Sequence, residues 1–132
     1  MLLEFILSRR PISHQSKSAS NRQRWKEFVT AEAQKVWQGQ PAVAIPCQLT
    51  LVYFCNDRPA DIDNIIKPIQ DALVGLVYVD DIYVTDIDCH RRPLTAPFEL
   101  ARLPALLLPA IAMGQECVYV RISPSQAIES YL

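Results

Sequence analysis

The stretch from Asp61 to Asp81 reads DIDNIIKPIQDALVGLVYVDD, and it constrains the fold more than any other part of the sequence. Asp61 and Asp63 stand at the beginning of a pattern in which apolar residues recur at helical spacing. A short apolar piece follows and ends at the acidic pair Asp80-Asp81. A helix of about 13 residues spans roughly 20 Å, and an extended segment can retrace that length. The pattern therefore predicts a helix that starts at Asp61 and Asp63 and a following extended segment that brings Asp81 back beside these two carboxylates.

Apolar periodicity predicts secondary structure along the rest of the chain. Residues 45–55 are the clearest strand, because apolar residues alternate there and β-branched and aromatic side chains are frequent. Trp25 lies on the apolar stripe of a helix, so we interpret it as a core residue rather than a base-stacking platform. The predicted elements are strand 2–8, a helix capped by Ser20 or Asn21 that runs to about Gln38, strand 45–55, a helix from about Asp63 to Leu76, a short strand or extended piece at 77–79, strand 82–89 and strand 116–122. This order indicates an α+β fold, a mixed β-sheet with two main helices packed on it.

The length of the chain, 132 residues, suits one domain, so residues 1–132 are predicted to form a single unit. The apolar N-terminal run is too short to span a membrane and lacks the features of a signal peptide, so the protein is expected to be cytoplasmic and not membrane-bound. Residues 93–114 contain four prolines. They predict either an apolar loop with a short helix or a surface that faces a partner.

Charge is unevenly distributed, although the net charge is only −1. The basic N-terminal segment (residues 1–35) has seven basic and three acidic side chains, whereas residues 56–92 have eight aspartates and four basic side chains. This segregation is typical of an enzyme that uses a metal and acts on a polyanion, although charges also cluster on solvated faces without any function. The candidate DNA-binding residues are Arg9, Arg10, Lys17, Arg22 and Arg24.

The four cysteines are widely spaced, contain no C-x-x-C pair, and lie in apolar or alternating runs. Neither histidine completes a zinc-like spacing, so reduced and mostly buried thiols are expected. No small-molecule cofactor is expected either.

The acidic residues have the chemistry of a magnesium site. Mg²⁺ prefers oxygen ligands and is usually held by one to three carboxylates together with substrate phosphate oxygens. Asp61, Asp63 and Asp81 can supply them if the helix begins at Asp61–Asp63, and Mn²⁺ is a possible substitute. Lys67 lies one helical turn beyond Asp63 and could stabilise charge on a phosphate.

Each of these residues also has a purely structural interpretation. Asp61 could be a solvated loop residue, Asp63 or Asn64 could cap the helix, and Asp80-Asp81 could form a turn. Lys67 could do no more than pair with Asp71, four residues further on. We assign Asn64, Asp71 and Asp80 supporting roles.

The spacing of these residues resembles that of the RusA family of Holliday-junction resolvases. The resembling pattern is D-x-D-N-x-x-K-x-x-x-D-A-L followed by an apolar strand and D-D, and here it comprises Asp61, Asp63, Asn64, Lys67, Asp71, Ala72, Leu73, Asp80 and Asp81. The resemblance implies a homodimeric, Mg²⁺-dependent endonuclease that makes paired nicks in four-way DNA junctions during recombination and repair. It further implies that Asp61, Asp63 and Asp81 are metal-binding catalytic carboxylates and that Lys67 is the catalytic lysine.

Two other functions remain possible on sequence grounds. One is a non-catalytic DNA-binding or assembly protein with the same fold, which would bind junctions through its basic segment without metal-dependent turnover. The other is a nuclease for flaps or other branched DNA, which competition between substrates would reveal.

Overall fold

The computed structural model describes all of residues 1–132. In chain order its helices and strands are β1 (Leu3–Leu7), α1 (Ala19–Trp37), β2 (Cys47–Cys55), α2 (Ile62–Ala72), β3 (Val84–Pro93), α3 (Leu108–Met113) and β4 (Cys117–Pro124). The four strands form one sheet in the order β1-β4-β2-β3. Strand β4 is antiparallel to both of its neighbours, whereas β2 and β3 are parallel. The α+β prediction is therefore confirmed, with one short helix more than the two main ones.

Strand β2 is buried on both of its faces. Leu49, Leu51 and Tyr53 point into the larger core cluster together with the buried side chains of α1 and α2. Phe54, on the other face, packs with Tyr119 and with residues of the 94–113 region. Two covered faces explain why apolar residues occupy both sets of alternating positions in this strand.

Helix α1 begins earlier than the sequence predicts. Its N-cap is Ser18, whose hydroxyl oxygen accepts a hydrogen bond from the backbone N–H of Asn21 at 3.2 Å, so the predicted cap at Ser20 or Asn21 is wrong by two or three residues. The side chains that α1 buries recur every four residues and are Trp25, Val29, Ala33 and Trp37. Trp25 is therefore a core residue, as predicted.

The region after α2 differs most from the prediction. Helix α2 ends at Ala72 rather than Leu76, and the chain then turns at Gly75, whose φ of +80° is a conformation that glycine adopts without strain. No strand forms at 77–79, where a short strand or extended piece is predicted, because Tyr78 makes only isolated bridges with Val43 and Val74. The strand predicted at 82–89 instead runs from Val84 to Pro93 and pairs with the whole of β2.

Residues 93–114 form an apolar loop with a short helix, which was one of the two predicted structures. Leu107 and Ala110 are buried against Phe54 and Tyr119 on the second face of the sheet. All four cysteines are free thiols and three of them are buried, as predicted. None of the helices has both the length and the apolar character that a membrane crossing needs.

Candidate active site on helix α2

One face of α2 carries charged residues at successive turns. Asp63, Lys67 and Asp71 are four residues apart, which aligns their side chains along the helix. The Nζ atom of Lys67 lies 3.0 Å from Oδ1 of Asp71 and 3.5 Å from Oδ2 of Asp81. The side chains of Lys67 and Asp81 are 45% and 40% exposed, and ion pairs that reach solvent contribute at most about 1 kcal/mol to stability. Because the fold depends little on these pairs, their charges are available to a substrate.

Lys67 is a permanent cation in this environment. The hydrogen bond and charge of Asp71, followed by those of Asp81, raise the pKa of Lys67 above its ordinary value. An opposite charge at hydrogen-bonding distance favours the ionised form. At neutral pH the lysine therefore carries three N–H donors and a full positive charge, which suits it to bind phosphate oxygens.

The acidic pair Asp80-Asp81 forms a turn, as its structural interpretation proposed, and this turn presents Asp81 to α2. The Asp80 carboxylate accepts a hydrogen bond from the backbone N–H of Ile82 at 3.3 Å, which starts the 3₁₀ turn Asp81–Tyr83. The hydroxyl of Tyr78 donates a hydrogen bond to the carbonyl of Gln70 at 2.6 Å and ties this connection to the helix.

The two carboxylates at the start of α2 are not engaged in comparable contacts. Asp61 is the N-cap residue, but its side chain makes no capping hydrogen bond. Asp63 lies in the first turn and, like Asp61, is exposed and outside every ion pair of the structure. The interpretation of Asp63 or Asn64 as the N-cap is therefore wrong. Asn64 acts through its backbone, because its carbonyl accepts a hydrogen bond from the backbone N–H of His14 at 2.8 Å and so joins the basic N-terminal segment to α2.

The structure does not gather the three predicted metal ligands into one cluster. No group of three or more Asp, Glu, His or Cys side chains lies close enough together to hold one metal ion. Asp81 instead contacts Lys67, while Asp61 and Asp63 extend into solvent. The donor chemistry nevertheless fits Mg²⁺, because all three ligands would be carboxylate oxygens. The side chains of Asp61 and Asp63 form no ion pair or hydrogen bond that metal binding would have to break.

The five predicted DNA-binding residues fall into two groups. Arg9 lies over the ring of Phe28 with its Cζ atom 3.9 Å from the ring centroid, and Arg10 pairs with Glu116. Both guanidinium groups are therefore already in contact with the protein. The other three, Lys17, Arg22 and Arg24, are exposed, and their only side-chain hydrogen bonds are to nearby residues of the same segment.

A cleft of about 410 Å³ separates the basic N-terminal segment from α2. His14, Arg22 and Lys26 line one side, and Pro68 and Asp71 line the other. Since Asp71 is also the ion-pair partner of Lys67, this largely basic cleft is continuous with the charged face of α2.

Sequence reasoning missed two residues that support the start of α2. Arg91 donates a hydrogen bond from Nη1 to the carbonyl of Ala60 at 2.9 Å, and the buried carboxylate of Glu116 accepts one from the backbone N–H of Asn56. The partners of each residue are far away in the sequence, so local patterns contain no signal for them. The one local signal for Glu116 is that an acidic residue stands directly before a mostly apolar strand.

A mixed sheet with a charged helix face beside a basic cleft suits a protein that acts on a polyanion, and the family comparison gives the class. Residues 8–97, which are more than half of the chain, match the family model described as endodeoxyribonuclease RusA. The chain therefore belongs to the RusA family of Holliday-junction resolvases, which are endodeoxyribonucleases. The matched region includes every site residue that the sequence predicted. A search of curated protein sequences gives no match.

Proposed function

We propose that this protein is a Mg²⁺-dependent endodeoxyribonuclease that resolves four-way DNA junctions by paired nicks, in recombination and repair. Family membership supports the reaction. The observation that carries the assignment to this site is the contact of Lys67 with Asp81, because it brings the end of the Asp61–Asp81 stretch to the middle of α2, one helical turn from Asp71 in the lining of the basic cleft.

Asp61, Asp63 and Asp81 would hold the metal, and Mn²⁺ would substitute for Mg²⁺ since it accepts the same oxygen ligands. When bound, the metal supplies Lewis-acid charge at the scissile phosphate. Lys67 donates hydrogen bonds to a phosphate oxygen and stabilises the negative charge that develops there. Asp71 keeps Lys67 oriented and protonated, Asp80 fixes the turn that presents Asp81, and the backbone of Asn64 anchors the N-terminal segment.

DNA recognition would rely on Lys17, Arg22 and Arg24, which face solvent near the cleft. Two nicks in opposed strands require two active sites, so the protein is proposed to act as a homodimer with two-fold symmetry. In this proposal residues 1–132 form one endonuclease domain that works in the cytoplasm without a small-molecule cofactor.

A cleavage assay on a synthetic four-way junction tests the proposal. With Mg²⁺ the wild-type protein should nick two opposed strands, while a linear duplex of the same sequence is largely spared. Asp63→Asn should bind the junction normally, because no protein group contacts this exposed carboxylate. It should not cut the junction, because it lacks one of the carboxylates proposed to hold the metal. The matched control is Glu129→Gln, which neutralises an exposed carboxylate outside the site and outside every ion pair.

Three results would contradict the proposal in different ways. Equal cutting by Asp63→Asn would refute the assignment of this carboxylate. Binding without turnover by the wild-type protein would favour a non-catalytic DNA-binding or assembly protein. Preferred cutting of flaps would favour a nuclease for other branched DNA.

A further inference from the structure

Glu116 is a buried carboxylate outside the charged face of α2 and outside the family match. The residue is only 6% exposed and directly precedes β4. A buried carboxylate is costly unless donors surround it. Its Oε1 atom accepts a hydrogen bond from the backbone N–H of Asn56 at 2.5 Å, and lies 3.4 Å from both the Tyr53 hydroxyl and Nη1 of Arg10. One oxygen atom therefore contacts the segments that follow β1 and β2.

The segment held in this way is the connecting loop, residues 56–60, which leads from β2 to Asp61. It is fixed at three points along its length. Glu116 holds the N–H of Asn56, Arg10 donates to the carbonyl of Arg58, and Arg91 donates to the carbonyl of Ala60. Because Glu116 also pairs with Arg10, it supports two of these three points.

The connecting loop needs such support because its backbone is strained. Arg58 has a φ of +52°, which is uncommon for residues other than glycine and persists only where the surroundings enforce it. Asp61, which follows, has no capping hydrogen bond of its own. The orientation of Asp61 therefore depends on the loop that precedes it.

From these contacts we infer that Glu116 is a positioning residue for the active site, which holds the connecting loop so that Asp61 and the first turn of α2 keep their catalytic orientation. This role rests on the proposed function, because it matters for activity only if Asp61 is a metal ligand. Glu116 touches neither substrate nor metal and acts through Asn56, Arg10 and Arg58.

Amide hydrogen–deuterium exchange tests the loop-holding part without reference to activity. Glu116→Ala should accelerate exchange in residues 56–61 by about tenfold or more, since it opens local structure, and leave peptides of α1 unchanged. Glu116→Gln should be milder, because an amide oxygen can still accept from Asn56. The matched control is Glu4→Ala, which removes another carboxylate that accepts from a tyrosine, here the Tyr119 hydroxyl at 2.6 Å.

Junction cleavage tests the consequence for the site. Glu116→Ala should lower kcat by about 10- to 100-fold, as expected for a small misplacement of a catalytic group, with KM for the junction within about threefold of wild type. It should also raise the Mg²⁺ concentration needed for half-maximal rate, and Glu116→Gln should restore most of the activity. Glu4→Ala should leave kcat and the Mg²⁺ requirement unchanged.

Specific outcomes overturn the inference. Unchanged exchange in residues 56–61, or equally faster exchange in every peptide, means that Glu116 does not hold the loop specifically. Faster loop exchange with unchanged kcat means that the loop does not position Asp61. If the wild-type protein does not cut junctions, the proposed function fails, and the exchange result alone still decides whether Glu116 holds the loop.

Discussion

Lys67 donates a hydrogen bond to Asp81 across 3.5 Å, although the two residues are 14 positions apart in the chain. The contact joins the middle of α2 to the turn that precedes β3, within the stretch from Asp61 to Asp81. Asp71 contacts the same ammonium group from one turn further along the helix. A cation is thereby placed between two carboxylates, one of which, Asp71, lines the basic cleft; in the proposed function this cation binds the phosphodiester.

Replacing this lysine should affect catalysis far more than stability. Lys67→Met should lower the rate of junction cleavage by about 100- to 1000-fold, the cost of removing one charged donor from a reacting oxyanion. The free energy of unfolding should change by no more than about 1 kcal/mol, because the ion pairs are half-exposed. Lys35→Met is the control, since Lys35 forms a comparable pair with Glu32 on α1. Equal losses in both variants would refute a specific role for Lys67.

The exposed basic residues beside the cleft should determine how strongly salt weakens DNA binding. In the variant with Lys17, Arg22 and Arg24 all replaced by Gln, the plot of log affinity against log salt should become shallower by up to about 0.9 for each phosphate that the protein no longer neutralises. Filter binding or fluorescence anisotropy at several salt concentrations measures the slope. Arg102→Gln removes an exposed arginine outside the basic N-terminal segment and should leave the slope unchanged. An unchanged slope in the triple variant would place the DNA elsewhere.

Buried tyrosines should make the protein unstable in alkali. Burial, followed by the charge of Glu116, raises the pKa of Tyr53 to about 12, whereas an unfolded tyrosine ionises at about 10. The folded state then holds the phenol proton more tightly than the unfolded state does. The stability that the neutral, buried Tyr53 contributes is therefore complete below pH 10 and is lost as the pH rises towards 12. Urea unfolding at pH 8 and pH 11 should show a lower free energy of unfolding at pH 11. The loss should be smaller in Tyr53→Phe, and an equal loss in that variant would contradict the assignment to Tyr53.

The buried side of α2 should dominate its contribution to stability. Ile69 is 0% exposed in the larger core, so Ile69→Ala should lower the free energy of unfolding by about 2–5 kcal/mol. Ile62, on the same helix, is 39% exposed, and Ile62→Ala should cost only about 0.5 kcal/mol. Denaturant unfolding measures both values. Similar losses in the two variants would mean that α2 packs differently in solution.

Local periodicity predicted those parts of the fold that one segment determines alone. Helix α1 packs on the sheet through the stripe that includes Trp25, and β2 points alternate side chains into the same core. Both patterns repeat within one segment, so they can be recognised directly in the sequence. The segment after Ala72 was mispredicted because its apolar residues fill the core from a turn, and the position of Gly75 rather than hydrophobicity determines that turn. Apolar composition alone does not distinguish a buried turn from a longer helix followed by an extended piece.

The site was predictable in its chemistry but not in its contacts. The spacing of Asp63, Lys67 and Asp71 specifies a helix face. The return of Asp81 was predicted from element lengths that differ in the structure, and Asp81 contacts Lys67 without forming a cluster with Asp61 and Asp63. The pairing of Arg10 with Glu116 joins residues 106 positions apart. No local pattern records such a contact, so the sequence did not predict that Arg10 supports the connecting loop.

Locating the metal tests the central claim most directly. Crystals of the wild-type protein grown with Mn²⁺ would reveal the ion by its anomalous scattering. We expect one strong peak bound by carboxylate oxygens of Asp61, Asp63 and Asp81 at about 2.0–2.3 Å, and no such peak in Asp63→Asn. A peak at other residues, or well-ordered carboxylates without an ion at saturating Mn²⁺, would contradict the proposed metal site.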